Sequence, residues 1–307
     1  MTSAVVFAYH DVGCRCLEVL LDRRIDVPLV ITHSDNPAET IWFASVADIA
    51  RKRNIETLSP LDPNAPEIVE KIRALQPDFI FSFYYRLMLA PALLGIPPRG
   101  AFNMHGSLLP KYRGRAPVNW AIIRGEAETG ATLHEMVVKP DAGRIVDQEA
   151  VPILPDDLAT DVFRKVTGAA GRVLGRSIPK LIDGSAALRA QDLSGGSYFG
   201  GRSPEDGRID WNAPARRVHD LVRAVAPPYP GAFAELGGQR LRVLRTRLCD
   251  GKRSGRAAGS LFAEGGRCYA SCADGELLEI LELELDGQTL SARDFAIRIG
   301  DRKLPVH

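Results

Sequence analysis

The chain contains 307 residues, which is enough for one large domain and a smaller one, each able to bury a hydrophobic core. Hydrophobic residues make up 45% of the chain and charged residues 25%, the ordinary composition of a soluble globular protein. The 39 Lys and Arg residues nearly balance the 38 Asp and Glu residues, so no global basic field supports a nucleic-acid partner.

Strands and helices alternate in the first part of the chain. Apolar runs predict strands at residues 4–8, 27–32 and 79–82, and helical patterns between them cover residues 14–24, 44–53 and 66–75. This alternation predicts a βαβ series with a parallel sheet. The turn after the first strand, residues 9–13, lacks the spaced glycines of a dinucleotide fingerprint, which argues against a nicotinamide cofactor.

The apolar stretch at residues 79–98 is too interrupted to cross a membrane. Ser82, Arg86 and the prolines and glycines at its far end predict a buried strand, a loop and a short helix instead. With no secretory leader ahead of the first strand, we expect a cytoplasmic protein without membrane insertion. The five cysteines form neither a CxxC pair nor a zinc pattern with histidine, so we expect reduced thiols and no metal site.

Polar and basic side chains concentrate at residues 103–117, which read NMHGSLLPKYRGRAP. Residues 100–105 predict a short buried strand, in which Asn103 and His105 alternate to the same face. Gly106 and the following prolines and glycines predict a bent loop. This loop can close over an anionic ligand with three basic side chains, those of Lys111, Arg113 and Arg115.

Asn103, His105 and the more distant Asp141 are the residue types of an acyl-transfer site. An amide can stabilise a developing oxyanion, an imidazole can move a proton near neutral pH, and a carboxylate can orient that imidazole. The alternative is that Asn103 and His105 are structural polar residues at a strand end, hydrogen-bonded by neighbouring backbone. The basic loop and Asp141 favour the catalytic interpretation, with an amine and an activated carbonyl as the reactants.

Residues 103–117 resemble the signature of the folate-dependent formyltransferases. This family includes glycinamide ribonucleotide transformylase, methionyl-tRNA formyltransferase and the sugar-nucleotide N-formyltransferases. Within it, the chain is most similar to the branch of the ArnA formyltransferase domain, through the stretches at residues 5–11, 32–37, 81–86 and 223–233. The resemblance implies an α/β fold, with a Rossmann-like parallel-sheet catalytic domain at residues 1–200 and a small OB-like β-barrel at residues 201–307.

The resemblance also implies roles for individual residues. His105 would transfer the proton, Asn103 would stabilise the tetrahedral intermediate, and Asp141 would support His105. The co-substrate would be 10-formyltetrahydrofolate, and its pocket would be formed by Leu87, Met88, Leu89, Arg115, Val137, Val138, Lys139, Pro140 and Asp141. The acceptor would be the amine of a nucleotide-linked amino sugar, in this branch UDP-4-amino-4-deoxy-L-arabinose, which serves lipid A modification.

The second half of the chain predicts a helix, a linker and then short strands. A long helix is predicted at residues 160–182, and the glycine-rich residues 194–201 predict a linker at the domain boundary. Beyond a helix at residues 213–226, apolar runs separated by glycines predict strands at residues 232–236, 240–244, 259–262, 268–271 and 277–285.

Two other functions compete with this prediction. A methionyl-tRNA formyltransferase shares the three site residues, but the balanced charge and the absence of a basic insertion after the first strand argue against it. A non-catalytic folate or sugar-nucleotide binding protein would not need all three site residues. His10 and His33 lie outside these three, and we expect them to be structural.

Overall fold

A computed structural model of the chain describes residues 1–37, 39–299 and 302–303. The chain divides into two compact units. The first unit comprises Met1–Pro117, Glu128–Pro152 and Phe163–Gly200, and the second comprises Val118–Ala127, Ile153–Val162 and Gly201–His307. The single boundary at residue 200 stays a prediction, since two short earlier segments also belong to the second unit.

The elements up to residue 200 follow the predicted alternation of strands and helices. The strands are β1 (Ser3–Ala8), β2 (Asp26–Ile31), β3 (Glu56–Leu58), β4 (Phe79–Phe83), β5 (Ala101–His105), β6 (Arg113–Gly114), β7 (Glu128–Glu135), β8 (Ile145–Pro152) and β9 (Tyr198–Phe199). The helices are α1 (His10–Asp22), α2 (Val46–Lys52), α3 (Pro66–Leu75), α4 (Pro91–Leu94), α5 (Pro117–Ile123) and α6 (Ala159–Asp183).

The central sheet has the strand order β3-β2-β1-β4-β5-β7-β8. Strands β3, β2, β1, β4 and β5 pair in parallel, which confirms the predicted Rossmann-like sheet. Strands β7 and β8 were not predicted, and they extend the sheet by antiparallel pairing. The parallel strands bring their carboxyl ends to one edge, where ligands bind in such sheets.

The parallel strands form because their apolar residues are buried on both faces of the sheet. Residues 4–8 of β1 are all fully buried at 0% exposure. Alternate residues of β1 and β2 pack against two buried residues of α3 that lie three positions apart. This cluster contains Val5, Phe7, Leu29, Ile31, Val69 and Ile72. Each such side chain stabilises the fold by about 1.5–3 kcal/mol through removal from water.

The second unit is built on an antiparallel sheet, which confirms the prediction of a C-terminal β domain. Its elements are α7 (Ala215–Val225), β10 (Ala232–Leu236), β11 (Gln239–Arg253), β12 (Ser260–Glu264), β13 (Arg267–Ser271), β14 (Glu276–Leu285), β15 (Gln288–Ser291), α8 (Ala292–Ile299) and β16 (Arg302–Lys303). The strand order is β10-β11-β14-β13-β12-β16, and β15 pairs with β14.

Strand β11 continues beyond the predicted residues 240–244 because its charged side chains are matched across the sheet. Arg242, Arg245 and Arg247 face glutamates of β14 in the antiparallel register. None of the helices in the described part of the chain has both the length and the apolar content needed to cross a bilayer.

Candidate active site

Asn103, His105 and Asp141 meet at the carboxyl end of β5. Asn103 and His105 alternate along that strand, and Asp141 lies in the turn that connects β7 to β8. The His105 Nδ1 atom is 3.6 Å from Asp141 Oδ1, and the Asn103 Nδ2 atom is 3.5 Å from the same oxygen. The structure therefore brings together the three residues predicted to be catalytic.

His134 is a fourth member of this cluster that the sequence prediction missed. It lies directly opposite Asn103 in the β5–β7 pairing, with its Nε2 atom 3.2 Å from Asn103 Nδ2 and 3.5 Å from Asp141 Oδ1. Its Nδ1 atom lies 2.7 Å from the carbonyl oxygen of Glu135, which can only accept a hydrogen bond. In neutral His134, Nε2 is thus the acceptor that fixes the orientation of the Asn103 amide.

The carboxyl group of Asp141 is largely buried, with its side chain 13% exposed. Burial alone would raise the pKa of Asp141, but the imidazole of His105 and the backbone N–H of Gly114 hold that pKa well below its usual range. The Gly114 N–H donates to Asp141 Oδ2 over 2.8 Å. Asp141 is therefore ionised at neutral pH and supplies the negative charge of the cluster.

The loop that follows β5, residues 106–116, folds back over His105. The Nε2 atom of His105 donates to the carbonyl oxygen of Tyr112 over 2.7 Å, while Nδ1 faces Asp141. Ser107 holds the loop from within, because its hydroxyl donates to the Lys111 carbonyl over 2.6 Å. With a carbonyl on one side of the ring and a carboxylate on the other, both ring nitrogens of His105 face hydrogen-bond acceptors.

Residues 197–199, predicted as part of the linker at residues 194–201, instead form a strap along this loop. The Tyr112 N–H donates to Ser197 Oγ over 2.8 Å, and the Arg115 N–H donates to the Phe199 carbonyl over 2.9 Å. Gly114 has a φ of +97°, and a β-carbon there would collide with the Phe199 carbonyl. The glycines of the strap suggested a linker, but strand pairing between β6 and β9 overrides that pattern.

Two of the three basic residues of the loop are exposed to solvent. Lys111 and Arg115 are exposed, whereas Arg113 is 8% exposed. Arg115 also donates from Nη2 to the Arg86 carbonyl over 3.1 Å, which joins the loop to the segment after β4. The side chain of Arg113 is therefore buried within the loop.

Apart from Arg115, the residues predicted for the folate pocket lie in two segments, one after β4 and one in the turn between β7 and β8. In the segment after β4, Leu87 is 38% and Met88 57% exposed, whereas Leu89 is buried at 7% within the core of the sheet. In the β7–β8 turn, Val137 is 42% and Val138 71% exposed. Lys139 is exposed and Pro140 half-buried in the same turn. The side chain of Leu89 can thus support a ligand site only from beneath.

An aromatic cluster contacts the residue that follows β5. His10 stacks on Phe43 with centroids 3.9 Å apart, and Phe163 lies edge-on to it at 4.5 Å. Tyr84 lies 5.4 Å from Phe163, and its hydroxyl occupies the space that a β-carbon at Gly106 would need. Burial, followed by the charge of Arg86, lowers the pKa of His10 to about 3, so this imidazole is neutral.

Two family models match the chain. The Formyl transferase model matches residues 9–178, and the model of the Formyl transferase C-terminal domain matches residues 202–299. The first match includes Asn103, His105, His134 and Asp141.

Several solved structures share the fold. The N-formyltransferase from Helicobacter canadensis, solved with folinic acid and dTDP-3-aminofucose, is 20% identical over 94% of this chain and 100% of its own, with a TM-score of 0.74. The sugar 3N-formyl transferase WlaRD, solved with dTDP and 5-N-formyl-THF, is 19% identical over 94% of this chain and 98% of its own, with a TM-score of 0.73. Glycinamide ribonucleotide transformylase 1 from Symbiobacterium toebii is 23% identical over 62% of this chain and 95% of its own, with a TM-score of 0.53. At these identities, the likeness establishes the fold alone.

Proposed function

Because the chain belongs to the formyl transferase family, we propose that it transfers the formyl group of 10-formyltetrahydrofolate to the amine of a nucleotide-linked amino sugar. The observation that carries this proposal is the convergence of Asn103, His105 and Asp141 on one another at the mouth of the sheet. An amide donor can stabilise the oxyanion of acyl transfer to an amine, and an imidazole beside an ionised carboxylate can move the proton.

In the proposed reaction, the neutral amine attacks the formyl carbon and a carbon–nitrogen bond forms. The Asn103 Nδ2 atom lies 3.2 Å from His134 Nε2 and 3.5 Å from Asp141 Oδ1. Asn103 donates to the oxyanion of the tetrahedral intermediate with the N–H that makes the longer contact, the one with Asp141. His105 takes the proton from the amine and delivers it to the folate nitrogen, whose bond to the formyl carbon then breaks. Asp141 stabilises the imidazolium that exists between these two transfers.

The carbonyl of Tyr112 occupies the hydrogen-bonding position at His105 Nε2 that the amine needs. We propose that the amine displaces this carbonyl when the acceptor binds, so that the loop shifts while Nδ1 keeps its place beside Asp141. A general base must lie within hydrogen-bond reach of the proton it abstracts, and apo structures commonly lack that contact.

The folate would lie against the exposed apolar side chains that flank the cluster, those of Leu87, Met88, Val137 and Val138. Covering such side chains with a flat ring system removes apolar surface from water at roughly 25 cal/mol per Å². Backbone N–H and C=O groups of the same segments would hydrogen-bond the polar edge of the pterin. The Helicobacter canadensis relative was solved with folinic acid, which supports a folate donor here.

The acceptor is proposed at two levels. The dTDP-3-aminofucose of the Helicobacter canadensis relative supports a nucleotide-linked amino sugar. The finer proposal, UDP-4-amino-4-deoxy-L-arabinose, rests on the sequence resemblance in residues 5–11, 32–37, 81–86 and 223–233. A cytoplasmic role in lipid A modification follows from that acceptor.

A transfer RNA acceptor finds little support in the arginines of the second unit. On β11, Arg242 pairs with Glu284 at 2.7 Å and Arg247 pairs with Glu279 at 2.7 Å. Arg245 lies 3.7 Å from Glu282 on the same two strands. Because each positive charge has a neighbouring carboxylate, this row gives a phosphate backbone little net charge to bind.

The test is a screen of UDP- and dTDP-linked amino sugars with 10-formyltetrahydrofolate, read by mass spectrometry. We expect one acceptor to gain the mass of one formyl group, and the UDP-aminoarabinose to react fastest. Charged initiator tRNA is the comparison acceptor, and formylation of that tRNA alone would replace the sugar proposal. Absence of formyl transfer to every acceptor would favour a binding protein.

A further inference from the structure

A cavity of about 250 Å³ lies at the carboxyl ends of the first strands, away from the catalytic cluster. Tyr9 follows β1, residues 32–35 follow β2, and Ser59 follows β3. The other side of the cavity is formed by Ile41, Phe43, Ala44 and the first residues of α2 with its N-cap, Ser45, Val46 and Ala47. All of these residues belong to the first unit. The mechanism proposed above uses none of them.

The polar groups of the cavity suit a ligand with several hydroxyl groups. The Tyr9 hydroxyl donates to Asp35 Oδ1 over 2.8 Å, and the carboxylate can accept further hydrogen bonds. Burial, followed by the hydrogen bond to Asp35, raises the pKa of Tyr9 to about 12, so Tyr9 remains a donor. Ser34, Ser45 and Ser59 add hydroxyls at the rim. A carboxylate can accept hydrogen bonds from the hydroxyl groups of a sugar.

His33 contributes a neutral imidazole to the same wall. Its Nε2 atom accepts from the Arg86 N–H over 3.0 Å, so the proton lies on Nδ1. Burial, followed by the charge of Arg86, lowers the pKa of His33 to about 4. The ring stacks on Tyr85 with centroids 4.1 Å apart, which fixes its position. His33 is therefore a fixed hydrogen-bond donor.

The charge of the cavity argues against a phosphate group as its occupant. Among the described residues that line it, there is no lysine or arginine, and Asp35 is negatively charged. The nearby Arg86 guanidinium is held by Glu39, with both nitrogen–oxygen distances at 2.9 Å. A phosphate would meet a carboxylate without a free cation, whereas a neutral sugar ring has no charge for that carboxylate to repel.

The size and position of the cavity identify which part of the acceptor it can hold. A volume of about 250 Å³ is below the usual range for a whole ligand of drug size, so it takes a single ring. In the sheet order, β4 and β1 separate β5 from β2, which places the cavity roughly 10–15 Å from the catalytic strand. The ring that carries the reacting amine must lie at His105, so the cavity takes the distal ring.

A row of aromatic rings connects the cavity to the residues around His105. Phe43 lines the cavity and stacks on His10, whose centroid is 6.3 Å from that of Tyr84. Tyr84 in turn lies against Gly106, the residue after His105. The sugar and diphosphate of a nucleotide-linked acceptor span a comparable length.

We propose that this cavity binds the ribose of the nucleotide that carries the acceptor sugar, with Asp35 accepting hydrogen bonds from the ribose hydroxyls. The proposal rests on the proposed function, since it assigns the far end of the same substrate. In doubly wound sheets, an acidic residue beyond the second strand binds ribose in the same way. Here that acid is present although the glycine-rich phosphate turn after β1 is absent. The cavity therefore selects a ribonucleotide over a deoxyribonucleotide.

The experiment measures binding of UDP and 2′-deoxy-UDP to Asp35→Asn and to wild type by calorimetry, without any formyl donor. We expect Asp35→Asn to weaken UDP binding by about 10-fold to 100-fold, the loss typical of a hydrogen bond to a charged group. Wild type should bind 2′-deoxy-UDP more weakly than UDP, and Asp35→Asn should lose most of that preference. Asp26→Asn, an exposed residue at the opposite end of β2, is the matched control and should bind UDP like wild type.

A second variant tests the cavity without changing charge. Ala47→Phe places a ring in the space proposed for ribose and should weaken UDP binding at least as strongly as Asp35→Asn. In turnover assays, Asp35→Asn should raise the KM for the acceptor while kcat and the KM for the formyl donor stay near wild type. Equal UDP affinity in wild type and in both variants would overturn the inference. A chain that binds UDP through Asp35 but forms no formyl product would instead overturn the proposed function.

Discussion

The cluster around Asp141 and the α7 cluster, which consists of Arg223 and Asp220, both hold a buried carboxylate, but they differ in how its contacts are completed. On α7, the Nε and Nη2 atoms of Arg223 both lie 2.8 Å from Asp220 Oδ1. Its Nη1 atom donates to the carbonyls of Leu154 and Asp157 over 3.2 and 3.1 Å. Around Asp141, the Gly114 N–H donates to Oδ2 over 2.8 Å, but the contacts of Oδ1 with His105, His134 and Asn103 are 3.5–3.6 Å long.

This difference separates a structural cluster from one that can react. Arg223 and Asp220 are 4% and 2% exposed, and short contacts leave little for a ligand to bind. Asp141 is ionised and partly exposed, and Asn103 beside it is half-buried, so an incoming group can take over one of their hydrogen bonds. A buried charge alone therefore does not identify a catalytic site. A buried charge whose hydrogen bonds are long enough for a ligand to replace them is a better candidate.

The largest expected effect is on the α7 cluster. Arg223→Met leaves Asp220 buried without its partner, and we expect a loss of about 3–5 kcal/mol in the free energy of unfolding. Chemical denaturation would measure this loss. The control is Arg216→Met on the exposed face of the same helix, which should change stability by less than about 0.5 kcal/mol. Equal stability of the two variants would contradict the structural role.

A smaller effect is expected at His134, which we regard as a positioning residue. His134→Ala removes the acceptor that orients the Asn103 amide, so kcat should fall about tenfold while the KM for both substrates changes little. His134→Gln retains an acceptor and should recover part of the loss. A purely structural role predicts instead that both variants lose stability and that the remaining folded enzyme has the wild-type kcat.

The smallest expected effect is a pH dependence of the free energy of unfolding, which arises at His219 on α7. Burial lowers the pKa of His219, which lies between Thr246 and the Pro155 carbonyl, below the ordinary value of 6.5. Because the unfolded chain binds this proton first, the stability contribution is complete above about pH 6.5 and is lost as the pH falls toward the folded pKa.

Each such histidine contributes up to about 1.4 kcal/mol per pH unit. The free energy of unfolding should therefore decline between about pH 6.5 and pH 5, and His219→Gln should remove part of that slope. The measurement is a series of denaturant titrations across this range. An unchanged slope in His219→Gln would show that His219 is not held neutral.

The sequence predicts those parts of the molecule that depend on local pattern. The buried strands β1, β2 and β4 follow from apolar runs, and α6 follows from its long helical period. Strand β7 could not be predicted because its partner β5 is distant and its own sequence, ETGATLHE, contains a glycine and alternates poorly. His134 was missed for this reason, since only the β5–β7 register places it beside Asn103.

The strap at residues 197–199 shows a second limit. Its glycines and serines are typical of a linker, and no local signal indicates that Ser197 and Phe199 pair with the loop over His105. That pairing joins residues about 85 positions apart, so it depends on the folded sheet rather than on sequence period. The same holds for the cavity beside Asp35, which is formed by the ends of separate strands.

The most direct test of the account is the turnover of Asn103→Ala, measured together with its thermal stability. Loss of an oxyanion donor should reduce kcat by on the order of 100-fold to 1000-fold, while the melting temperature stays close to that of wild type. Near-normal turnover in this folded variant would contradict the assignment of the Asp141 cluster as the catalytic site.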